Sequence, residues 1–205
     1  MNGEIDKQNR PSPEDTVLIR AFQADDKAAF DNLVLRYQDK VFGLCYRFLG
    51  EYEDASDCAQ ETFVKVYRSL KGFGFRSAFS TWLYRITVNV CKNRLTSKQY
   101  RVSRRMVRLD DPGDPASGIY PVEISDESLS PAEEGERRER QVLIQKAIDS
   151  LPPEQKTVVV LRDIEGFSYA EIAGITGANL GTVKSKLARA RARLSEKLSG
   201  VVNPH

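Results

Sequence analysis

The feature that most limits how this chain can fold is a stretch near its middle that cannot contribute to a core. Residues 110–136, 27 in all, read DDPGDPASGIYPVEISDESLSPAEEGE and contain four prolines, three glycines and hardly any apolar periodicity. Such a segment buries too little apolar surface to offset the entropy lost on ordering it. We therefore interpret it as a flexible linker and predict three parts: a first domain at 1–108, the linker at 109–136 and a second domain at 137–205.

The parts on either side of the linker have the apolar spacing of helices. Apolar residues recur at intervals of three and four, and the periodic runs stop before Gly50, Gly72 and Gly166 or at the pair Pro152–Pro153. The sequence therefore predicts an all-α protein of two small helical domains. The expected helices cover about 14–22, 28–48, 55–70 and a segment from Ser80 onward in the first domain, and 142–151 and 153–164 in the second.

The charges are sorted along the chain although the net charge is only +2. Residues 77–109 contain eight basic residues and no acidic one, whereas residues 109–136 contain nine acidic residues and no basic one. The last predicted helix is basic again. Such blocks are typical either of solvated faces or of surfaces that bind a polyanion, and two basic helices in one short chain favour polyanion binding.

The passage FSYAEIAGITGANLGTVKSKLARARARL has the pattern of a helix-turn-helix. Ser168 and Glu171 are spaced as a capping box, Gly177 suits the left-handed end of a short helix, and Asn179 can cap the next one. We expect an inward stripe on this second helix. The stripe comprises Leu180, Val183, Leu187, Ala190 and Leu194.

The outward face of this second helix is basic, which predicts that it enters the major groove of DNA with its N-terminal end leading. Arg189 can hold guanine with two hydrogen bonds, and Ser185 is short enough to reach a base edge. Lys184, Lys186 and Arg193 are better suited to phosphates. The alternative is an amphipathic helix whose basic face is only solvated.

The stretch KGFGFRSAFSTW, residues 71–82, places Phe73, Phe75 and Phe79 in and beside a loop that leads into a basic helix. Arg85, Asn89 and Lys92 then share one helical face. Rings beside a cationic helix suit single-stranded DNA, because phosphates follow the charge while unstacked bases lie on the rings. The alternative is that the rings close the core. From pattern alone we assign Phe79 to the core and Phe73 to the loop, and leave Phe75 open.

Other functional classes have little support in the sequence. Cys45, Cys58 and Cys91 are far apart and have no CxxC spacing, so we expect buried free thiols and no metal site. We also expect no cofactor and no enzymatic activity, since no glycine-rich phosphate loop occurs and the one histidine is His205. No apolar run is long enough for a membrane span and no export signal is visible, which predicts a cytoplasmic protein.

Three segments together resemble a known family. DASDCAQETFVKVYRSL, SAFSTWLYRITVN and LPPEQKTVVVLRDIEGFSYAEIAGITGANLGTVKSKLARARARL are similar, in that order, to regions 2.2, 2.3–2.4 and 4 of bacterial extracytoplasmic-function sigma factors, nearest the sigma-E-like branch. The resemblance covers about residues 20–105 and 137–198. It implies a factor that gives RNA polymerase core its promoter specificity, with a partner anti-sigma factor in a stress response.

The resemblance also implies roles for individual residues. The first domain would open and read the −10 element, and the second would bind the −35 element and the β flap of the polymerase. The helix from Asp54 to Leu70 would dock on the β′ clamp helices. The implied −10 residues are Phe73, Ser77, Ala78, Phe79, Arg85, Asn89 and Lys92; the −35 residues are Thr182, Lys184, Ser185, Lys186, Ala188, Arg189 and Arg193; the core-binding residues are Asp57, Gln60, Glu61, Val64 and Arg68.

The chain departs from the family pattern in two places, at residues 74–76 and at residue 188. Gly74, Phe75 and Arg76 stand where the sigma-E-like loop usually has an Arg-Gly-Asp-type run, so the base that this loop would accept is open. Ala188 stands where a bulkier residue can occur, which favours contact with a thymine methyl or a looser −35 preference.

The linker is long enough for both elements to be bound at once. Its 27 residues reach roughly 90 Å when extended, and the −10 and −35 elements lie roughly 85 Å apart. Its negative charge suggests the hypothesis that it threads a basic channel of the polymerase. An ordinary helix-turn-helix regulator, an enzyme and a pure protein-interaction module are the competing interpretations, and none of them explains both the aromatic loop and the two basic helices.

Overall fold

The computed structural model describes residues 12–97 and 131–202, and all its regular structure is helical. No described helix is long and apolar enough to cross a membrane. The N-terminal lobe contains α1 (Pro13–Gln23), α2 (Lys27–Leu49), α3 (Tyr52–Leu70) and α4 (Phe79–Thr96), and the C-terminal lobe contains α5 (Pro131–Asp149), α6 (Pro153–Val159) with a π-helical turn (Val160–Ile164), α7 (Tyr169–Thr176) and α8 (Leu180–Val202). The predicted all-α class is confirmed.

The N-terminal lobe is organised around α2, which packs against α1, α3 and α4. Asp26 caps the start of α2 by accepting a hydrogen bond from the Ala28 amide, and Gly50 ends the helix in the left-handed region at φ 78°. That conformation is accessible to glycine at little cost, so the chain can reverse directly into α3. Leu44, Phe48 and Leu83 are among the completely buried side chains at the centre.

The C-terminal lobe confirms the predicted caps. Ser168 accepts a hydrogen bond from the Glu171 amide at 3.2 Å and Glu171 accepts one from the Ser168 amide at 2.8 Å, which is the capping box. Gly177 ends α7 at φ 69°, and the Asn179 side chain accepts from the Thr182 amide at 2.8 Å. α7 and α8 therefore form two helices joined by a tight turn.

The predicted inward stripe of α8 is right except at its first member. Val183, Leu187 and Ala190 are buried and Leu194 is half-buried, but Leu180 is 49% exposed. At 100° per residue Leu180 lies at the edge of the stripe. It is also the first residue of the helix, where no preceding turn covers it.

The two lobes pack against each other, because α4 and α2 contact α7 and the π-helical turn. The rings of Tyr84 and Phe167 meet edge to face at 4.9 Å. The Lys156 ammonium, only 3% exposed as a residue, donates to the Phe48 carbonyl at 2.7 Å and pairs with Asp149. Buried apolar residues of both lobes form one continuous cluster.

α5 begins at Pro131, inside the range predicted for the linker, so only part of that range lacks a described helix. The rest of it, 109–130, lies outside the described residues, as does His205. The hypothesis about linker charge therefore stays a prediction.

Candidate nucleic-acid interface

α8 presents an exposed polar and basic face on the side opposite its buried stripe. Lys184, Ala188, Arg189 and Arg193 are exposed, and Thr182 and Ser185 are half-buried. The Lys184 ammonium lies 5.9 Å from the centre of the Tyr169 ring, so α7 limits where this side chain can point. The face has the mixture of short side chains and guanidinium groups that a major groove accepts.

Lys186 differs from the other members of the predicted −35 set. Its ammonium pairs with Glu154 at 2.5 Å, and that pair lowers the pKa of the Glu154 carboxyl. At 100° per residue Lys186 lies well round the helix from Lys184 and Ala188, toward α6. In this arrangement Lys186 is half-buried beside α6 and does not lie on the exposed face of α8.

The structure corrects the expectation that Phe73 lies free in the loop. Phe73 is 6% exposed and its ring packs 5.1 Å from Trp82 and 6.0 Å from Phe79. Phe79 is buried as expected, and Ala78 is buried too. Packing of these rings against one another removes their apolar surface from water, which an exposed position in the loop would not do. In this conformation Phe73, Ala78 and Phe79 are therefore not accessible to a base.

Ser77 and the helical face that follows are accessible. Ser77 is half-buried, whereas Arg85 and Asn89 are exposed on α4. Lys92 is half-buried, since Glu154 and Lys186 of the C-terminal lobe lie near it. Burial, with a smaller effect of Lys186, lowers the pKa of Lys92, while Glu154 opposes that change. The face predicted to bind the −10 element is therefore exposed at Arg85 and Asn89 and partly covered by the C-terminal lobe at Lys92.

All five residues predicted to bind the polymerase are exposed on α3. Asp57 pairs with Arg94 of α4 at 3.0 Å, and Glu61 pairs with Lys65 one turn later at 2.7 Å. Val64 is 46% exposed and lies on the same outward side. An exposed valine among charged side chains fits a protein interface as well as a solvated surface, so the polymerase contact stays a prediction.

Some residues at these surfaces were not singled out from the sequence. Lys156 and Tyr84 connect the lobes, and Arg20 of α1 lies over the Phe75 ring with its guanidinium carbon 5.8 Å from the ring centre. The pairings depend on which helices meet, so periodicity within one helix does not reveal them. The signal available for Lys156 in the sequence was its position just before the apolar run 158–161.

The described residues contain no group of three or more His, Cys, Asp or Glu side chains that could hold a metal ion. The three cysteines are free and buried, as the sequence predicts, and they come together between α2, α3 and α4. Hydrogen bonding to Cys45 raises the pKa of the Cys91 thiol well above its ordinary value, and burial adds to this effect.

Two families of known proteins match this chain, one in each lobe. The family described as Sigma-70 region 2 matches residues 33–101, and the family described as Sigma-70, region 4 matches residues 141–194. The RNA polymerase sigma-H factor of Pseudomonas aeruginosa is 39% identical over 189 residues, which cover 90% of this chain and 94% of that one. The ECF RNA polymerase sigma-E factor of Escherichia coli is 39% identical over 189 residues, covering 92% and 96%.

The chain belongs to the extracytoplasmic function group of sigma-70 factors. It is thus a sigma factor, which directs promoter-specific initiation by RNA polymerase, and proteins of this kind are initiation factors without catalytic activity of their own.

Solved structures show the same fold. CnrH, in complex with the cytosolic domain of CnrY, superposes on this sigma factor with a TM-score of 0.63 at 22% identity, covering 91% of this chain and 98% of that one. RpoE of Bartonella quintana, in complex with the anti-sigma factor NepR, gives 0.58 at 24% identity, covering 83% and 96%.

Proposed function

We propose that this sigma factor reads the −35 element through the exposed face of α8, reads the −10 element through the α3–α4 loop and α4, and docks on the polymerase through α3. The observation that carries the proposal is the division of α8 into a buried apolar stripe and an exposed face with Lys184, Ala188 and Arg189. A helix that packs through an apolar stripe, follows a capped partner helix and keeps its basic face exposed is suited to the major groove. The division into domains 1–108 and 137–205 around a linker is part of the proposal.

The contact between the lobes has a consequence for promoter binding. The two elements lie roughly 85 Å apart on duplex DNA, whereas Tyr84 and Phe167 bring the lobes within 4.9 Å of each other. Both elements can be bound together only after the lobes separate. Separation also uncovers Lys92 of the predicted −10 set, which lies near Glu154 and Lys186 at the contact, whereas Lys186 keeps its pair with Glu154 inside the C-terminal lobe.

Run-off transcription with purified core polymerase on a library of random promoter sequences tests the proposal. We expect start sites that share two spaced elements and that appear only when the factor is added. Duplex DNA binding by the factor alone should be weak, because the lobes are packed together. Start sites that do not depend on the factor would contradict its assignment as the specificity subunit.

The role of α3 has a separate test. Val64→Asp places a charge in the centre of the proposed polymerase interface, so we expect at least a tenfold loss of affinity for core, measured by competition with labelled wild-type factor. Leu35→Asp is the matched control, since Leu35 is an apolar residue of α2 that is 65% exposed and lies outside the proposed interface. Equal losses in the two variants would contradict docking through α3.

We further propose that an anti-sigma protein controls this factor in a stress response, as supported by the fold it shares with RpoE, which was solved with the anti-sigma factor NepR. Such an inhibitor binds the factor stoichiometrically, so graded production of the factor in its host should give little transcription up to a threshold and a steep rise beyond it. A proportional rise without a threshold would overturn this part.

A further inference from the structure

Phe75 adopts a backbone conformation that is costly for its residue type. Its φ is 54°, in the left-handed region, whereas the flanking Gly72 and Gly74 have no positive φ. A bulky side chain in this region is uncommon, because its Cβ comes close to the backbone, and glycine would adopt it freely. Strain of this kind persists only where the surrounding structure imposes it, and it is concentrated at binding sites.

The loop is held in place by α1. The Gln23 side-chain amide donates to the carbonyls of Leu70, Lys71 and Phe73 at 3.3, 3.3 and 3.0 Å. One turn earlier on the same helix, Arg20 places its guanidinium over the Phe75 ring. α1 therefore supplies both the support of the loop and a cation on its outer side.

The Phe75 ring packs against the core but stays partly exposed. It meets Phe73 at 5.1 Å in an edge-to-face contact and is half-buried as a residue. Its other neighbour, Arg20, is exposed and makes no ion pair with another described residue. Because Phe73, Phe79 and Trp82 already pack against one another, Phe75 is not needed to close the core.

A second guanidinium lies nearby. Arg76 is exposed, and its side chain folds back toward Gly74, where an added Cβ would lie 3.9 Å from the Arg76 Nε atom. The loop thus offers an aromatic ring with one exposed cation over it and a second exposed cation on the next residue. An unstacked base with phosphates on either side has the complementary chemistry, since the base stacks on the ring and the cations neutralise the phosphates.

We propose that Phe75 and Arg20 form a stacking site for one unstacked base of the melted promoter strand. The base takes the outer face of the Phe75 ring, and Arg20 moves from that face to a neighbouring phosphate. This site rests on the proposed −10 function of the loop and adds residues of α1 to it. It also supplies a half-buried ring that becomes free to stack once Arg20 moves, whereas Phe73 and Phe79 are buried.

The probe is a promoter obtained from the run-off selection, with 2-aminopurine at each position of the −10 non-template strand in turn. Stacking on an aromatic ring quenches this fluorophore. With polymerase reconstituted from core and wild-type factor, we expect one position to be quenched by protein contact. Phe75→Leu should abolish that quenching and weaken binding of the single strand by roughly 5- to 150-fold, while Phe75→Trp should preserve both.

Two further variants separate stacking from packing. Phe75→Gly removes the ring and relieves the strain, so its thermal stability should equal or exceed that of the wild type while strand binding is lost. Arg20→Ala should weaken strand binding about 3- to 10-fold, roughly the contribution of one cation beside a ring or phosphate. Lys27→Ala removes an exposed cation at the start of α2 and Tyr52→Leu removes a half-exposed ring at the start of α3, and neither should change strand binding.

The outcomes are separable. If wild-type factor directs initiation but Phe75→Leu quenches the probe and binds the strand as the wild type does, the stacking site is wrong and the proposed function stands. Loss of stability in Phe75→Gly that parallels its loss of binding would mean a packing role and would also overturn the site. If wild-type factor directs no initiation at all, the proposed function itself fails.

Discussion

Arg189 and Arg191 are two positions apart on α8 and differ in what holds them. Arg191 pairs with Asp163 of the π-helical turn, its Nε atom 3.1 Å from the carboxylate. Arg189 is exposed and pairs with no described carboxylate. A guanidinium already engaged by a carboxylate has fewer donors for a base edge, so the free arginine is the better candidate for sequence recognition.

We expect Arg189→Ala to lower transcription that depends on the −35 element by about 5- to 150-fold, because two hydrogen bonds to guanine contribute roughly 1–3 kcal/mol. Core binding should persist. Arg191→Ala is the matched control, and since its ion pair is exposed its loss should have little effect. Run-off transcription and core-binding assays measure the two quantities; lost core affinity in Arg189→Ala would mean that the face binds polymerase.

The three thiols should be unreactive in the folded protein. Hydrogen bonding to Cys91 and burial raise the pKa of the Cys58 thiol, and Cys91 is shifted in the same direction. A raised folded-state pKa favours the native state below the unfolded thiol pKa, about 9, and this contribution is lost as the pH rises further. We expect alkylation by iodoacetamide at pH 8 to be complete in urea and at least tenfold slower in buffer. Rapid labelling of the native protein would contradict the buried cluster.

At the scale of helices, local signals decide where each element starts and ends. The capping box at Ser168 and the left-handed glycines at 50 and 177 involve residues within four positions of one another, so the local sequence alone specifies where these helices begin or end. Which neighbouring helix each face of a helix contacts depends on residues far away in the chain. α3, for example, directs one side to the core and leaves Val64 and Glu61 to the outside.

Removing the cap of α7 should destabilise the C-terminal lobe. Ser168→Ala leaves the Glu171 amide without its acceptor, so we expect a loss of about 1 kcal/mol in the free energy of unfolding. Urea denaturation followed by circular dichroism measures it. Ser199→Ala is the control, because the Ser199 hydroxyl donates to the Glu196 carbonyl and caps no helix start. Equal losses would contradict the contribution of the cap.

For the whole molecule, the contact between the lobes decides which surfaces are free. The contacts that join the lobes include Lys156 with Phe48, Phe167 with Tyr84, and Glu165 with Arg47, the first of each pair belonging to the C-terminal lobe. The amine of Lys156 satisfies a carbonyl at the end of α2 while its stem lies in the shared core. An arrangement of this kind is a closed form that must open for both promoter elements to be bound.

Closure should weaken as pH rises, because of Glu165. Its carboxyl faces Arg47 and Lys40 of α2 and Tyr84 of α4, and burial raises its pKa although Arg47 and Lys40 oppose this effect. A carboxyl whose pKa is raised by closure favours the closed form when protonated, so this contribution is present below about pH 4.5 and is lost as the pH rises through the raised pKa.

Energy transfer between dyes on cysteines introduced at positions 27 and 197 measures the separation of the lobes. We expect wild-type factor to open progressively as the pH rises above about 4.5. Glu165→Gln should stay more closed at pH 7 and depend less on pH, since the neutral amide has no charge to bury. A larger opening in Glu165→Gln at pH 7 would mean that the attraction between Glu165 and Arg47 favours closure more than the burial of the charged carboxyl opposes it.

Much of the fold follows from local patterns, and less of the site does. The helices, caps and helix-turn-helix follow from periodicity and capping residues, and the exposed faces of α3 and α8 follow from the same periodicity. Phe73, Leu180 and Lys186 lie where that reasoning did not place them. Phe73 packs into a cluster of rings that includes Trp82 of α4, and Lys186 pairs with a carboxylate on α6. Leu180 is exposed because it is the first residue of its own helix.

The amino-acid sequence by itself determined the two helical halves, the ends of most helices and membership of the sigma family, because each depends on residues close together in the chain. Only the tertiary structure decided that α1 places Arg20 over Phe75, that Phe73 is buried and that the lobes share a core. The contact of Arg20 with Phe75 and the shared core arise between residues about 50 to more than 100 positions apart, as in the 108-residue separation of Lys156 and Phe48. A helical pattern specifies which face of an element is apolar, whereas the partner of that face is selected by packing over the whole molecule.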